Sequence, residues 1–365
     1  MSSETVVRPS DATAPDGSRS GRSGRLRGLL RWETGLLVLL VLVVVFGAST
    51  SSDFLTRSTL FYLGINIGYV AIMALPMTLV IMTGEIDLSV ASMLGLSGST
   101  VGLLWHHGWS MWPAMGVALL VGLVGGALNG LLVAKVGLPS IAVTIGSLAL
   151  FRGIAEIMLG SLVVPGLGDR QFPAGLTSIG VSPVVGTPLA WGFVVFLVLA
   201  LVCGVLLHMT PLGRSLVAMG LQPEAAQFAG IRVALIKFWL YVATGVLSAF
   251  AGIIYTLQVS SVSYNAGTGL ELNVVAIVLF GGVSIFGGRG TLPGVVLAVL
   301  ILGSLQMALT QRQVDPNVQN VVTGVLLLLS VVVPSGGEAL RRLRARSRHP
   351  RKNRPSTAQP TSSPA

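Results

Sequence analysis

Long apolar runs recur along almost the whole chain, each near the length a helix needs to cross a hydrocarbon core, with short polar joints between them. They predict an all-α polytopic membrane protein of about ten transmembrane helices, at 33–50, 59–83, 88–105, 112–135, 140–160, 190–209, 234–258, 273–286, 292–310 and 317–334. The runs at 88–105 and 273–286 are short or glycine-rich, so broken or re-entrant helices are expected there. Irregular backbone at that depth must be buried in protein or line a cavity. One polar stretch is too long to be a joint. From Thr210 to Lys237 the chain carries the cations Arg214, Arg232 and Lys237 and the acid Glu224, with apolar runs on both sides. Pro211-Leu212-Gly213 opens it, and Gln222-Pro223 turns it. Pro223 suits a first helical position and Gly230 suits a helix stop, so two short helices are predicted. A connection needs only a few residues, and a long structured one reads as a docking surface.

Charge sets the orientation. The chain of 365 residues is 52% hydrophobic and 10% charged, with a net charge of +10. That basicity is concentrated in the tails: six arginines precede Trp32, and seven arginines and Lys352 follow Leu340. Such tails beside apolar spans suit anionic lipid headgroups and argue against nucleic acid as a partner. With ten spans, Lys135, Arg214, Arg232, Lys237 and Arg289 join the tails on one side, against Arg57, Arg170 and Arg312 on the other. The expectation is that both termini are cytoplasmic. Residues 1–31 and 337–365 read as disordered basic tails around a transmembrane domain at 32–336. The single cysteine, Cys203, lies in an apolar run and excludes a disulfide framework.

A weak internal repeat is present. Val70-Ala71-Ile72 opens a span ending at Gly84, and Val275-Ala276-Ile277 opens one ending at Gly287-Gly288. Duplicated halves are common in transporters, with the site near their interface.

Candidate chemistry is sparse. Glu85 and Asp87 sit at a span end in Gly84-Glu-Ile-Asp-Leu-Ser, where Asp87 can accept from the backbone at Ser89 or Val90. This turn reads either as a gate or as a capped, solvated connection. Arg152 and Glu156 are four apart on one span and can pair on one helical face. Charges within a bilayer usually face a bundle interior or a cavity, so this pair is a candidate for the pathway as well as for a structural role. Asn66, Asn129, Gln258 and Asn273 can line a path or bridge helices. Gly281 to Gly294 lacks the Gly-Lys-Ser/Thr ending of a phosphate loop and reads as a tight turn around Arg289. No metal-ligand spacing or catalytic constellation stands out, so no cofactor is expected on this chain.

GRSLVAMGLQPEAAQFAGI resembles the cytoplasmic coupling loop of ABC-transporter permeases. Glu224-Ala225-Ala226 followed by Gly230 matches its E-A-A-x-x-x-G core, and Gly213-Arg214 with Pro223 resembles the ribose, xylose, rhamnose and autoinducer branch. MTGEIDLSVAS at 82–92 and LNVVAIVLFGGVSIFGGRGTLPG at 272–294 resemble the same branch. Two departures stand out: the Ile-x-Leu-Pro ending of the wider family is absent, and Glu85 stands where these permeases commonly carry glycine. The resemblance implies a permease subunit, not an enzyme, forming half of the pathway for a monosaccharide or polyol-like solute in a bacterial plasma membrane. It implies a partner ATPase carrying ATP and magnesium, a second permease subunit and an extracytoplasmic solute-binding protein. The competing reading is an ion-gradient-driven transporter, for which Glu156 is the one acid clearly within a span.

Overall fold

The computed structural model describes residues 20–160, 164–165, 171–326 and 328. The elements are α1 (Ser20–Thr50), α2 (Arg57–Met82), α3 (Val90–His106) and α4 (Met111–Gly130), the last continued by a π-helical turn at Leu131–Lys135. Next come α5 (Ser140–Leu159), β1 (Val164–Pro165), α6 (Ala174–Val181), α7 (Trp191–Met209), α8 (Pro211–Leu221) and α9 (Pro223–Phe228). The chain continues with α10 (Val233–Val259), β2 (Ser261–Val262), α11 (Leu270–Phe280) and α12 (Leu292–Gln311), and is helical again at 316–326. Lipid offers no water to an open N–H or C=O, so apolar runs close their backbone bonds within helices. The strands form only a two-residue antiparallel bridge, with Val164 opposite Val262 and Pro165 opposite Ser261.

Among the described residues seven helices are long and apolar enough to cross a membrane, starting at Trp32, Arg57, Met111, Ser140, Trp191, Val233 and Leu292. The expectation of about ten is therefore met only in part. The runs at 88–105 and 273–286 are the short ones. α3 has 17 residues and is buried from Val90 to Gly102, so protein surrounds it along most of its length. α11 has 11 residues, about 16 Å at the helical rise and roughly half a hydrocarbon core. α1 also differs from expectation. Its backbone is helical from Ser20, inside the stretch expected to be disordered, because extending an existing helix adds one hydrogen bond per residue fixed. Residues 1–19 and the C-terminal tail expected at 337–365 lie outside the described residues.

α2 and α3 are the centre. α2 is almost wholly buried from Ile67 to Met82 and packs against α7, α10, α11 and α12. α3 packs against α4, α5 and α10. One close crossing is α4 on α10: a Cβ at Gly126 would strike the Tyr241 carbonyl, and one at Gly245 would strike that of Gly122. Small residues four apart let two backbones approach closely where lipid supplies no hydrophobic drive. The outer faces of α4, α5 and α7 expose Leu120, Val124, Ile145, Ile157 and Leu201, as a lipid-facing surface requires.

Candidate coupling site and pathway cavity

The polar stretch folds into the two predicted short helices. Thr210 caps α8, its hydroxyl accepting from the Leu212 N–H at 3.3 Å, with Pro211 in the first turn. Pro223 opens α9. α9 ends in a Schellman closure: Ile231 N–H donates to the Ala226 carbonyl at 3.0 Å and Gly230 N–H to that of Gln227 at 2.9 Å. Gly230 has φ +83°, a conformation that side-chain-bearing residues resist. Met219, Ala226 and Val233 form a small apolar cluster that anchors α9 to α8 and α10. Ala226 is the one buried residue of α9, so Glu224, Ala225 and Phe228 face outward, and Phe228 is 94% exposed. Arg214 is exposed as well, while Gly213 is buried where a Cβ would meet the Leu207 carbonyl of α7.

This loop is attached to two turns. A Cβ at Gly220 would collide with the Met82 carbonyl at the end of α2 and with the Gly288 nitrogen. Gly288 N–H in turn donates to the Met82 carbonyl at 2.9 Å. The 281–290 stretch is a tight turn as expected, with Gly287 and Gly288 at φ +77° and +71°, and the Arg289 carbonyl accepts from Ser284 N–H at 2.9 Å. The turns that end the two repeats thus meet under α8.

The 84–89 turn is not a freely solvated connection: Gly84 is exposed, but Asp87 and Ser89 are buried. Glu85 forms a salt bridge with Lys237 of α10, a partner that spacing along the chain did not suggest. Asp87 is 1% exposed and fully engaged. Its Oδ1 accepts from Ser89 N–H at 3.0 Å and Ser89 Oγ at 2.6 Å, and its Oδ2 accepts from Thr244 Oγ1 at 2.7 Å. Burial pushes the Asp87 carboxyl up from its ordinary range, against the pull of these hydrogen bonds. The expected contact with the Ser89 backbone is present, although α3 itself starts without a side-chain cap. The network continues. Asn129 Nδ2 of α4 donates to Ser89 Oγ at 2.9 Å, and Asn129 Oδ1 accepts from Ser147 Oγ of α5. Ser140 Oγ of α5 accepts from Ile86 N–H at 3.3 Å. The turn is thereby tied to α4, α5 and α10 at once, and Asn129 is a bridge between helices.

The pathway candidates separate. Asn66 of α2 and Asn273 of α11 line one cavity of about 140 Å³, with Tyr69 of α2 and Gln306 of α12. Arg152 and Glu156 do not line it, and they do not pair. Arg152 Nη1 donates to the Tyr264 carbonyl at 3.0 Å and the Ala266 carbonyl at 2.8 Å, beside Gly95 of α3. Glu156 lies one turn along α5 and is exposed. The irregular 263–269 backbone leaves carbonyls without helical donors, and a guanidinium within reach satisfies two of them at once. That use of Arg152 outcompetes an exposed i,i+4 pair of small worth.

The architecture is that of a polytopic helical membrane protein with a structured loop between two spans. A family model for the permease component of branched-chain amino acid transport systems matches residues 59–331. The chain belongs to this permease family. It is a transport component and not an enzyme. The ribose import permease protein RbsC of Escherichia coli (strain K12) is 36% identical over 315 residues, 86% of this chain and 97% of that protein. The autoinducer 2 import system permease protein LsrD of Photorhabdus luminescens is 32% identical over 302 residues, 82% of this chain and 90% of that protein. LsrC of the autoinducer 2 import system of Salmonella choleraesuis is 32% identical over 304 residues, 83% of this chain and 85% of that protein. No solved structure matches.

Proposed function

We propose that this permease forms half of the inward pathway for a monosaccharide or related polyol-like solute in an ATP-driven ABC importer of a bacterial plasma membrane. Its termini and the α8–α9 loop face the cytoplasm, where a separate ATPase subunit carries ATP and magnesium. A second permease subunit, the same or homologous, completes the pathway, a solute-binding protein delivers from outside, and lipid headgroups hold the basic tails. The carrying observation is the α8–α9 loop. It presents Glu224, Ala225 and Phe228 outward from a base fixed by Ala226, and Gly220 seats it on the turns that close α2 and α11. A force applied at α9 therefore reaches α2, at the bundle centre, and α11 beside it through backbone contacts. The matched family is described by amino acid transport, whereas RbsC is named for ribose import and LsrD for autoinducer 2 import; the uncharged lining of the Asn66–Asn273 cavity supports the sugar side.

Uptake of labelled D-ribose, D-xylose and L-rhamnose tests this, in proteoliposomes holding the permease, its ATPase and its binding protein. Import is expected only with internal ATP and without dependence on an ion gradient. Import that persists without ATP and collapses with the gradient establishes the ion-driven alternative instead. Reporter fusions at residues 20 and 345 should both read as cytoplasmic.

A further inference from the structure

We propose that the cavity between α2, α11 and α12 is a hydroxyl-reading station on the solute's path, in which the carboxamides of Asn66, Asn273 and Gln306 exchange hydrogen bonds with an uncharged sugar. This rests on the import reading above and adds to it a binding site with named residues.

The three amides come from three different helices and line one cavity of about 140 Å³. None of them makes a hydrogen bond within the described structure, whereas Asn129, also an amide at a helix crossing, is bonded on both its atoms. Asn129 is helix glue; the cavity amides have donors and acceptors to spare. Asn66 is exposed and Asn273 and Gln306 are half-buried, so their amides are accessible for water or a solute to engage, as polar groups within a membrane bundle require. Each offers two N–H donors and a carbonyl acceptor, and hydroxyls, which both donate and accept, match that set.

Charge decides the ligand class. The lining contains no ionisable acid, lysine, arginine or histidine. An amino acid carries an ammonium and a carboxylate, and each would be desolvated here without a partner. A neutral polyhydroxyl solute has no such penalty. Tyr69 adds an aromatic flank and is itself held edge-on against Tyr255, ring centroids 5.1 Å apart, so a fixed apolar face stands beside the amides. The backbone supports the placement. α11 is a half-length helix entered through the irregular 263–269 segment, and Asn273 lies in its first turns. Discontinuous helices of this kind are where transporters place their solute sites.

The experiment uses the complete importer in cells, with labelled D-ribose, D-xylose and L-rhamnose as probes and monodeoxy analogues of the imported sugar as competitors. Leucine keeps the branched skeleton of asparagine, so Asn66→Leu, Asn273→Leu and Gln306→Leu remove the amide while leaving an apolar side chain of similar reach. Each is expected to lower uptake about three- to tenfold, the worth of one neutral hydrogen bond. At least one should also lose the parent's preference for the sugar over one deoxy analogue. Membrane abundance and co-purification with the ATPase should match the parent. Where a Leu variant falls in abundance, the Ser variant at that position is read instead, with a smaller loss expected. Variants that import at the parent's rate with the parent's preference overturn the cavity assignment and leave the import reading intact. A parent that assembles with its ATPase yet imports none of the three sugars overturns both.

Discussion

The two ends of α2 are built on opposite principles. At the α8–α9 end, Met82, Gly84 and the following turn are locked by backbone contacts with Gly220 and Gly288, by the Glu85–Lys237 salt bridge and by the saturated Asp87 network. Toward the other end, Asn66 and Tyr69 border an open space whose amides are unpaired. A junction that transmits displacement gains from having no slack, because packed contacts have few alternative arrangements. A site that passes a solute must leave its polar groups free. One helix thus connects a rigid region to an adaptable one, and a movement at α9 can reach the cavity without crossing lipid-facing surface.

The sharpest way to break the rigid side is Gly220→Val. A branched side chain cannot enter between the Met82 carbonyl and Gly288, and overpacking of that kind costs about 1–3 kcal/mol or more. Uptake should be abolished while the spanning helices still insert, with sugar uptake and membrane abundance measured side by side. Any substitution of equal size on the exposed face of α9 should act on ATPase binding alone, leaving the 84–89 turn intact.

Next in size is the ion pair. Glu85→Ala or Lys237→Ala strands a mostly buried charge and is expected to cost about 1–3 kcal/mol of thermal stability in detergent. The double variant should recover part of that loss, as should the reversed pair Glu85→Lys with Lys237→Glu. Full additivity in a double-mutant cycle would show that the two residues act separately.

The smallest effect is expected at Glu156. As an exposed residue without a role for Arg152, Glu156→Ala should change stability by no more than about 0.5 kcal/mol. Arg152→Met should destabilise measurably, because the Tyr264 and Ala266 carbonyls lose their donor. Combining the two should give no recovery in a thermal-shift assay. Recovery would reinstate the i,i+4 pair.

These cases also mark what was legible in the chain itself. Helix positions, the two short loop helices, Pro223 as a helix start and Gly230 as a stop follow from local rules, because run length and backbone preference are written in adjacent residues. The Asn66 and Asn273 candidates were legible as polar positions in spans, but not as neighbours. Partners across the fold were not legible. Lys237 and Glu85 are 152 positions apart, and Arg152 reaches carbonyls 112 and 114 positions away. Spacing favoured Glu156 for Arg152 because local geometry permits that pair, while burial decided otherwise. The Gly122–Gly126 approach to Gly245 was hidden for a related reason: small residues are abundant in every span, and only packing shows which ones meet.

The claim that everything else depends on is that α9 docks the ATPase. The direct measurement is co-purification of the ATPase with detergent-solubilised Glu224→Arg and Gly230→Val variants, quantified against the parent at equal membrane abundance. Glu224→Arg reverses an exposed charge at the proposed contact, and Gly230→Val forces a β-branched residue into a left-handed conformation that closes the helix. Both should lose the ATPase and sugar uptake together while remaining in the membrane. Variants that hold the ATPase and import sugar like the parent would reduce α8–α9 to a connector and contradict the account.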